Sequence, residues 1–465
     1  MLKNYIKKLI KKKNLNLPNW KNINKEEFID QDENSNILIA TGAGGLLSNL
    51  VFESVLGYAL KNKKCNVEFL LCDAPLSACI MATELVIKED IFLKEGPKSI
   101  CSSCYHNSEI FLKDAKFKIN KISDYIDLND EKHIQDLNTI KNINLDNVRD
   151  FKLDNIAIGE HAYAGTLRYY ARTDLDSKDS NAVLRKFLES SILTKIAIEK
   201  LYSKKNFDSV ILNHGIYVPQ GIIHEVSKSS GINTVNYCMG TRKKTFCFGK
   251  DETYHKSLIY EKNDNWENLE LNHKVENKID KYIESRLNGN EDWIYFHNKP
   301  NFDLKNFIKK YNIDKKKPMI GLATNVIWDA QIDFPSNFFD NILTWVFYTI
   351  NYFINNKDLQ LIIRIHPAEI NSTKPAQQRI LDEIKKKFPE ISKNIIIIPA
   401  EDNMSTYTIM QACNNVLIYG SRLGVELSAL KIPVIVCGEG FIRNKNIALD
   451  ITSFEEYVQV LKKLP

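Results

Sequence analysis

Residues 415–437 read NVLIYGSRLGVELSALKIPVIVC. An apolar run, Asn415–Tyr419, breaks at Gly420-Ser421. A helical stretch follows over Arg422–Leu430, and Pro433 opens a second apolar run ending at Cys437. A short apolar strand, a turn with a capping hydroxyl, a helix and another apolar strand make a βαβ unit, whose strands pair in parallel. Working outward, the same alternation recurs in MIGLAT (319–324), LQLIIRI (359–365) and NIIIIP (394–399), with a helix expected over Asn337–Ile354. Five such strands separated by helices predict a doubly wound sheet over residues 316–465. Upstream, ILIA (37–40), VEFLLC (67–72), SVILN (209–213) and NTVNYC (233–238) are strand runs. Helices are expected up to Leu60, near Ala78–Leu85, and over Asn181–Tyr202 and Val218–Ser229. This predicts a second Rossmann-like domain over 31–250, with an insertion at about 87–180 where the pattern is less regular. The polar stretch 251–315, with weak apolar helices around Trp266 and Trp293, is the expected connector. The fold class is therefore α/β, with two Rossmann-like doubly wound domains facing across a cleft. Ligands of open α/β sheets bind beyond the carboxyl ends of the strands, so chemistry is expected there.

The chain has 465 residues, of which 44% are apolar, ample for two cores. Its 63 basic and 58 acidic residues leave a net charge of +5. That excess is too small to imply a nucleic-acid partner, and it does not repel an anionic ligand. The sequence holds neither an apolar run of transmembrane length nor the apolar core of a signal peptide, so a cytoplasmic location is expected. Residues 1–30 form a basic arm. Leu2, Tyr5, Ile6, Leu9 and Ile10 share a helical face, while Lys3, Lys7, Lys8 and Lys11 lie mostly elsewhere. This helix is expected either to dock on its own domain or to touch the inner membrane peripherally.

Four segments of the C-terminal half carry candidate chemistry. In Gly420–Glu426, Gly420 permits a tight turn and Ser421 caps the helix, so first-turn amides can face a diphosphate. Arg422 adds charge, and Glu426 can accept from ribose hydroxyls. In Arg364-Ile365-His366-Pro367, proline ends the strand and leaves His366 at its carboxyl end. There His366 can donate to a sugar or phosphate oxygen, or act as acid or base. Arg364 can pair with phosphate. After MIGLAT, Asp329 and Gln331 can bind sugar hydroxyls beside Trp328. After PVIVC, Arg443 and Lys445 can balance a leaving phosphate. The competing readings are an ordinary capped turn, a structural ion pair, an Asx turn and a solvated basic loop, respectively.

In the first half, Thr41-Gly42-Ala43-Gly44-Gly45 follows the first strand, and its glycines can cradle a phosphate or an acceptor hydroxyl. His214 ends another strand. Glu160 is a candidate base towards an acceptor, with Arg168, Tyr169, Tyr170 and Arg172 on the same expected acceptor surface. Cys72, Cys79, Cys101 and Cys104 are spaced C-x6-C and C-x2-C. Four thiolates can hold a structural zinc, although the first pair is looser than common zinc spacings. Buried unligated cysteines are the equal alternative, ahead of an iron–sulfur cluster or a disulfide.

The stretches NHGIYVPQGIIHEVSKSSGINTVNYCMGTRKKTFCFGKDETYH, TNVIWDAQIDFP, LIIRIHPAE and VLIYGSRLGVELSALKIPVIVCGEGFIRNKN resemble the bacterial capsule polysaccharide biosynthesis family. They are more distantly similar to capsular Kdo transferases. The resemblance covers most of residues 200–450. It matches a His-Pro pair at His366 and Pro367, an Asp-x-Gln element at Asp329 and Gln331, and a turn at Ser421, Gly424 and Glu426. It implies a GT-B fold and a glycosyltransferase that takes a sugar from a nucleotide-sugar without a catalytic metal. The expected acceptor is a carbohydrate or a lipid-linked glycan of surface polysaccharide. The chain departs from the Kdo-transferase pattern around the His-Pro pair, so a sugar transferase is expected without a stated sugar. The alternatives are a nucleotide-sugar epimerase or hydrolase of the same fold, and a non-enzymatic polysaccharide assembly or export factor.

Overall fold

The structure, a computed structural model, describes residues 18–20, 35–85, 87–175, 179–289, 291–292, 299–330, 338–372 and 374–465, with backbone alone at 264–265. The basic arm (apart from residues 18–20), the segment around Trp293 and Gln331 lie outside the described residues. The chain divides into two compact units. One comprises Met1–Tyr170, Leu175–Cys238 and Phe246–Tyr254; the other comprises Ala171–Asp174, Met239–Thr245 and His255–Pro465.

The first unit is built on β1 (Ser35–Gly42), β2 (Cys65–Leu71), β3 (Lys118–Lys121), β4 (Ser209–Asn213), β5 (Asn233–Met239) and β6 (Phe246–Lys250). Their order is β3-β2-β1-β4-β5-β6. The first five pair in parallel. β6 runs back along β5: the Asp251 amide donates to the Thr234 carbonyl, and the Gly240 amide donates to the Thr245 carbonyl. β1 and β2 are covered on both sides, which is why they read as continuous apolar runs. Ile37, Ile39, Val67, Phe69 and Leu71 share one core with Leu50 and Leu112. Leu38, Ala40 and Leu70, on the opposite face, are fully buried as well. Residues 98–121 supply the helix Lys98–Asp114 and the edge strand β3. The sheet thus extends into the stretch that the sequence pattern set aside as an insertion.

The second unit is built on β7 (Met319–Ala323), β8 (Gln360–Arg364), β9 (Ile395–Ile398), β10 (Asn415–Ile418), β11 (Val434–Val436) and β12 (Leu449–Asp450). The order is β12-β11-β10-β7-β8-β9, and every pair is parallel. Alternate residues feed two cores. Ile320, Leu322, Leu361, Ile363, Leu417 and Ile435 pack with the helix Ile342–Asn355. Ala323, Ile362, Ile398, Val416, Ile418 and Val436 pack on the other side with Phe307, Ile409 and Leu427.

Both sheets have the doubly wound order in which the first and fourth strands are neighbours at the centre. The chain thus adopts the expected fold class, α/β with two Rossmann-like doubly wound domains. Of the stretch 251–315, expected as a connector, the part up to Tyr254 groups with the first sheet and the part from His255 with the second.

Candidate functional site

At the centre of the second sheet the chain reverses its winding, between β7 and β10. Such a switch point leaves a crevice at the carboxyl edge. Ile418 of β10 pairs with Ala323 of β7, which pairs with Arg364 of β8. The turns that begin at Tyr419, Thr324 and Ile365 therefore leave the sheet side by side. Three of the expected segments, around residues 329, 366 and 421, start from this one edge.

Hydrogen bonds fix the edge. The Thr324 amide donates to the Arg364 carbonyl at 3.1 Å. Thr324 Oγ1 accepts from the His366 amide at 2.9 Å. His366 Nδ1 accepts from the Ala368 amide at 3.0 Å. Because that nitrogen is an acceptor, the ring proton sits on Nε2, which is then the donor. The buried Oδ1 of Asn325 has no donor among the described residues. A buried carbonyl oxygen in that state carries an unmet hydrogen-bonding demand of about 1–3 kcal/mol. Thr324 and Asn325 open the expected segment around residue 329, directly after a central strand, although the sequence assigns no role to either. Ser421 Oγ accepts from the Leu423 amide at 3.2 Å, but the N-cap of the helix that follows is Arg422, which makes no side-chain cap bond, so the expected cap at Ser421 is displaced by one residue. That helix, Leu423–Ala429, has seven residues, so its dipole is small. Arg422 donates to Thr241 Oγ1. Asp329 is half-buried beside the buried Trp328.

Other expected ligand groups are engaged within the chain. Arg364 is 1% exposed. Its guanidinium donates to the Pro399 carbonyl at 2.6 Å, the Asp402 carbonyl at 2.9 Å and Thr406 Oγ1 at 3.3 Å. It is a clamp for the loop after β9, and burial lowers its pKa to about 10. Glu426 is buried too, accepting from Arg286 Nε at 2.6 Å and from the Tyr407 hydroxyl at 2.5 Å. Arg286 also pairs with Asp292. Arg443 donates to the carbonyls of Gly438 at 2.9 Å and Ile451 at 2.6 Å, and is 3% exposed. Lys445 Nζ holds the carbonyls of Glu261 at 3.1 Å and Ile259 at 3.3 Å. Gly424 has a packing role: a Cβ there would stand 2.4 Å from Ile418 Cδ1. In the structure these five residues are tied to carbonyls, carboxylates and core side chains of the chain itself.

In the first unit the glycine turn is closed. Residues 41–45 are all buried. A Cβ on Gly42 would meet Pro219 Cγ at 2.9 Å, one on Gly44 would meet Ser108 Oγ at 2.1 Å, and one on Gly45 would meet Met81 Cε at 2.8 Å. These glycines permit close packing, so the phosphate or acceptor cradle expected at Gly42, Gly44 and Gly45 is corrected. Glu160 lies half-buried in the first turn of the helix Ile158–Tyr170. The next residue, His161, bonds through Nδ1 to the Ile216 carbonyl. That bond sets Glu160's helix against the turn holding His214, whose backbone is left-handed at φ 66° and whose ring packs near Tyr217 and Tyr254. The two expected acceptor-side residues thus share a neighbourhood. Arg168 pairs with Glu84 and covers the Tyr217 ring, Tyr169 donates to the Ile87 carbonyl and Tyr170 to Glu89. Arg172 pairs with Asp174 in the second unit.

All nine cysteines are described and none forms a disulfide. Burial pushes the Cys101 and Cys104 thiols up to about 12, and raises Cys72 and Cys79 as well. Among the described residues no three His, Cys, Asp or Glu side chains are grouped so as to hold a metal ion. The expected structural zinc at Cys72, Cys79, Cys101 and Cys104 is neither supported nor overturned by this arrangement. No described helix is long and apolar enough to cross a membrane.

No family model and no curated protein matches the chain. Solved structures do. The β-Kdo 2,4 transferase of Thermosulfurimonas dismutans KpsC is 10% identical, covering 57% of this chain and 82% of its own, with a TM-score of 0.37. The UDP co-structure of S. aureus MnaA is 12% identical over 92% of this chain and 88% of its own, with a TM-score of 0.27. The UDP-GlcNAc 2-epimerase of Neisseria meningitidis bound to UDP-GlcNAc is 9% identical over 92% and 91%, with a TM-score of 0.26, so the structures similar to this chain include both transferases and epimerases.

Proposed function

We propose that this chain is a glycosyltransferase that moves a sugar from a nucleotide-sugar to a carbohydrate or lipid-linked acceptor of surface polysaccharide. The observation that carries the reading is the switch-point edge of the second sheet. There Asn325, whose buried Oδ1 has no donor among the described residues, follows Thr324 in the chain, and the turns of His366 and Ser421 leave the two strands that flank β7. A sugar or ribose hydroxyl satisfies an acceptor of this kind. The Nε2–H of His366 donates to a phosphate oxygen of the donor as negative charge builds on the leaving group. Asp329 and Arg422 supply further contacts to the donor. A general base takes the proton of the acceptor hydroxyl. The acceptor oxygen bonds to the anomeric carbon, the bond from that carbon to the phosphate oxygen breaks, and the nucleotide leaves. None of these steps calls on a catalytic metal.

The test is product analysis by mass spectrometry with CMP-, UDP-, GDP- and dTDP-sugars, each with and without glycan acceptors. The reading expects a glycosylated acceptor and little donor turnover in its absence. His366→Ala is expected to lower kcat by about 10²-fold or more while the protein stays folded. Turnover of donor to an isomer without acceptor identifies an epimerase instead. Binding of glycan with no nucleotide-sugar chemistry identifies an assembly factor.

A further inference from the structure

Four cysteines from two stretches of chain meet in the first unit. Cys72, Cys79, Cys101 and Cys104 line one cavity, whose remaining walls include Met81 and Ile100. Cys72 directly follows β2, Cys79 precedes the short helix Ile80–Glu84, and Cys101 and Cys104 lie one turn apart on Lys98–Asp114. A backbone amide is aimed at one of the sulfurs: the Gly45 amide donates to Cys104 Sγ at 3.0 Å. A neutral thiol is a weak acceptor, whereas N–H donors on sulfur are a regular support of metal-bound thiolates. No Lys, Arg or His is among the residues that line the cavity, so the balancing charge has to come from the ligand.

The glycine turn belongs to this arrangement. A Cβ on Gly45 would stand 3.1 Å from Cys104 Sγ, and one on Gly44 would stand 3.3 Å from the Cys104 carbonyl. Only glycine lets the turn after β1 approach the cysteine helix closely enough for the amide-to-sulfur bond.

A single ion does not fit. Zinc at about 2.3 Å from each sulfur draws its thiolates to within about 4 Å of one another. The described residues contain no group of three such ligands placed to hold one ion. A cubane cluster spreads four thiolates around a larger body and suits an apolar chamber. We propose that Cys72, Cys79, Cys101 and Cys104 ligate a [4Fe–4S] cluster at the carboxyl edge of the first sheet. The preassembled [4Fe–4S]²⁺ unit comes from a cellular iron–sulfur carrier. Each thiol releases its proton to water as its sulfur bonds one iron, and the carrier's own ligands leave. No electron is transferred in this step. The bound cluster ties the loop after β2, the loop before Ile80 and the helix Lys98–Asp114 into one body. This inference is independent of the sugar-transfer reading.

The test uses the full chain, expressed with ample iron and purified without oxygen. Iron, acid-labile sulfide and zinc are measured together with the visible spectrum. The expected result is about four iron and about four sulfide per chain, with a broad visible absorption that bleaches in air. Cys72→Ser and Cys101→Ser are expected to lose most of the iron, while Cys247→Ser, on β6, keeps it. Alkylation of wild-type protein under native anaerobic conditions covers the case in which a variant misfolds. The four thiols should resist alkylation until the cluster is oxidised away. One zinc per chain without sulfide, a protein without metal, or iron that survives both cysteine substitutions overturns the proposal.

Discussion

Glu53 is fully buried in the first unit, between the Thr41 hydroxyl at 2.5 Å and the Tyr237 hydroxyl at 2.8 Å. Both donate to its carboxyl, yet loss of solvation dominates, and its pKa rises from 4.5 to about 7. A carboxyl raised on folding favours the native state fully below its unfolded value, and that contribution disappears as pH rises through the folded value. The difference is worth about 3 kcal/mol, lost between roughly pH 4.5 and pH 7. Glu53→Gln removes the titration and keeps the geometry. Its Oε1 accepts from Tyr237, and its Nε2 donates to Thr41 Oγ1. Urea denaturation of both proteins at pH 5, 6, 7 and 8 gives the stability difference at each pH, in which all other groups cancel. The variant should gain on the wild type by about 1 kcal/mol per pH unit across the window, then level off. Parallel stability curves across this range would refute the claim that a carboxyl is held protonated behind β1.

Arg364→Met should destabilise the second unit by about 3 kcal/mol or more in denaturant, since three loop acceptors lose a charged donor inside the core. Glu426→Ala leaves Arg286 and Tyr407 without their buried partner and should cost about 3–5 kcal/mol by the same assay. Gly44→Ala forces a Cβ to 2.1 Å from Ser108 Oγ, and should lower thermal stability by about 1–3 kcal/mol together with iron content.

The central strands of both sheets are legible because each is covered on two faces and reads as an unbroken apolar run. β3, β6 and β12 are not. Lys118–Lys121 carries a lysine at each end, Phe246–Lys250 runs against its neighbour, and Leu449–Asp450 is two residues long. All three lie at sheet edges, where one side of the strand is unpaired and the pattern dissolves. The site divides in the same way. Strand order and register put Thr324, His366 and Ser421 at one edge, and proline and glycine mark those positions in the sequence. Side-chain direction is not marked. All of β8 is buried, so the charge of Arg364 gives no hint that it turns inward to clamp a loop that begins at Pro399. The glycines of residues 42–45 fit a phosphate cradle as well as a packed turn, and the neighbouring Pro219, Ser108, Met81 and Cys104 decide between them.

Calorimetric titration of CMP-, UDP-, GDP- and dTDP-sugars into the wild type, Asn325→Ala and His366→Ala tests the central claim most directly. Saturable binding of one nucleotide class to the wild type, weakened at least tenfold (about 1.4 kcal/mol) in both variants, is the expected result. Binding unchanged by both substitutions, or no binding of any of the four classes to folded protein, contradicts a donor site at the edge of β7 and β10.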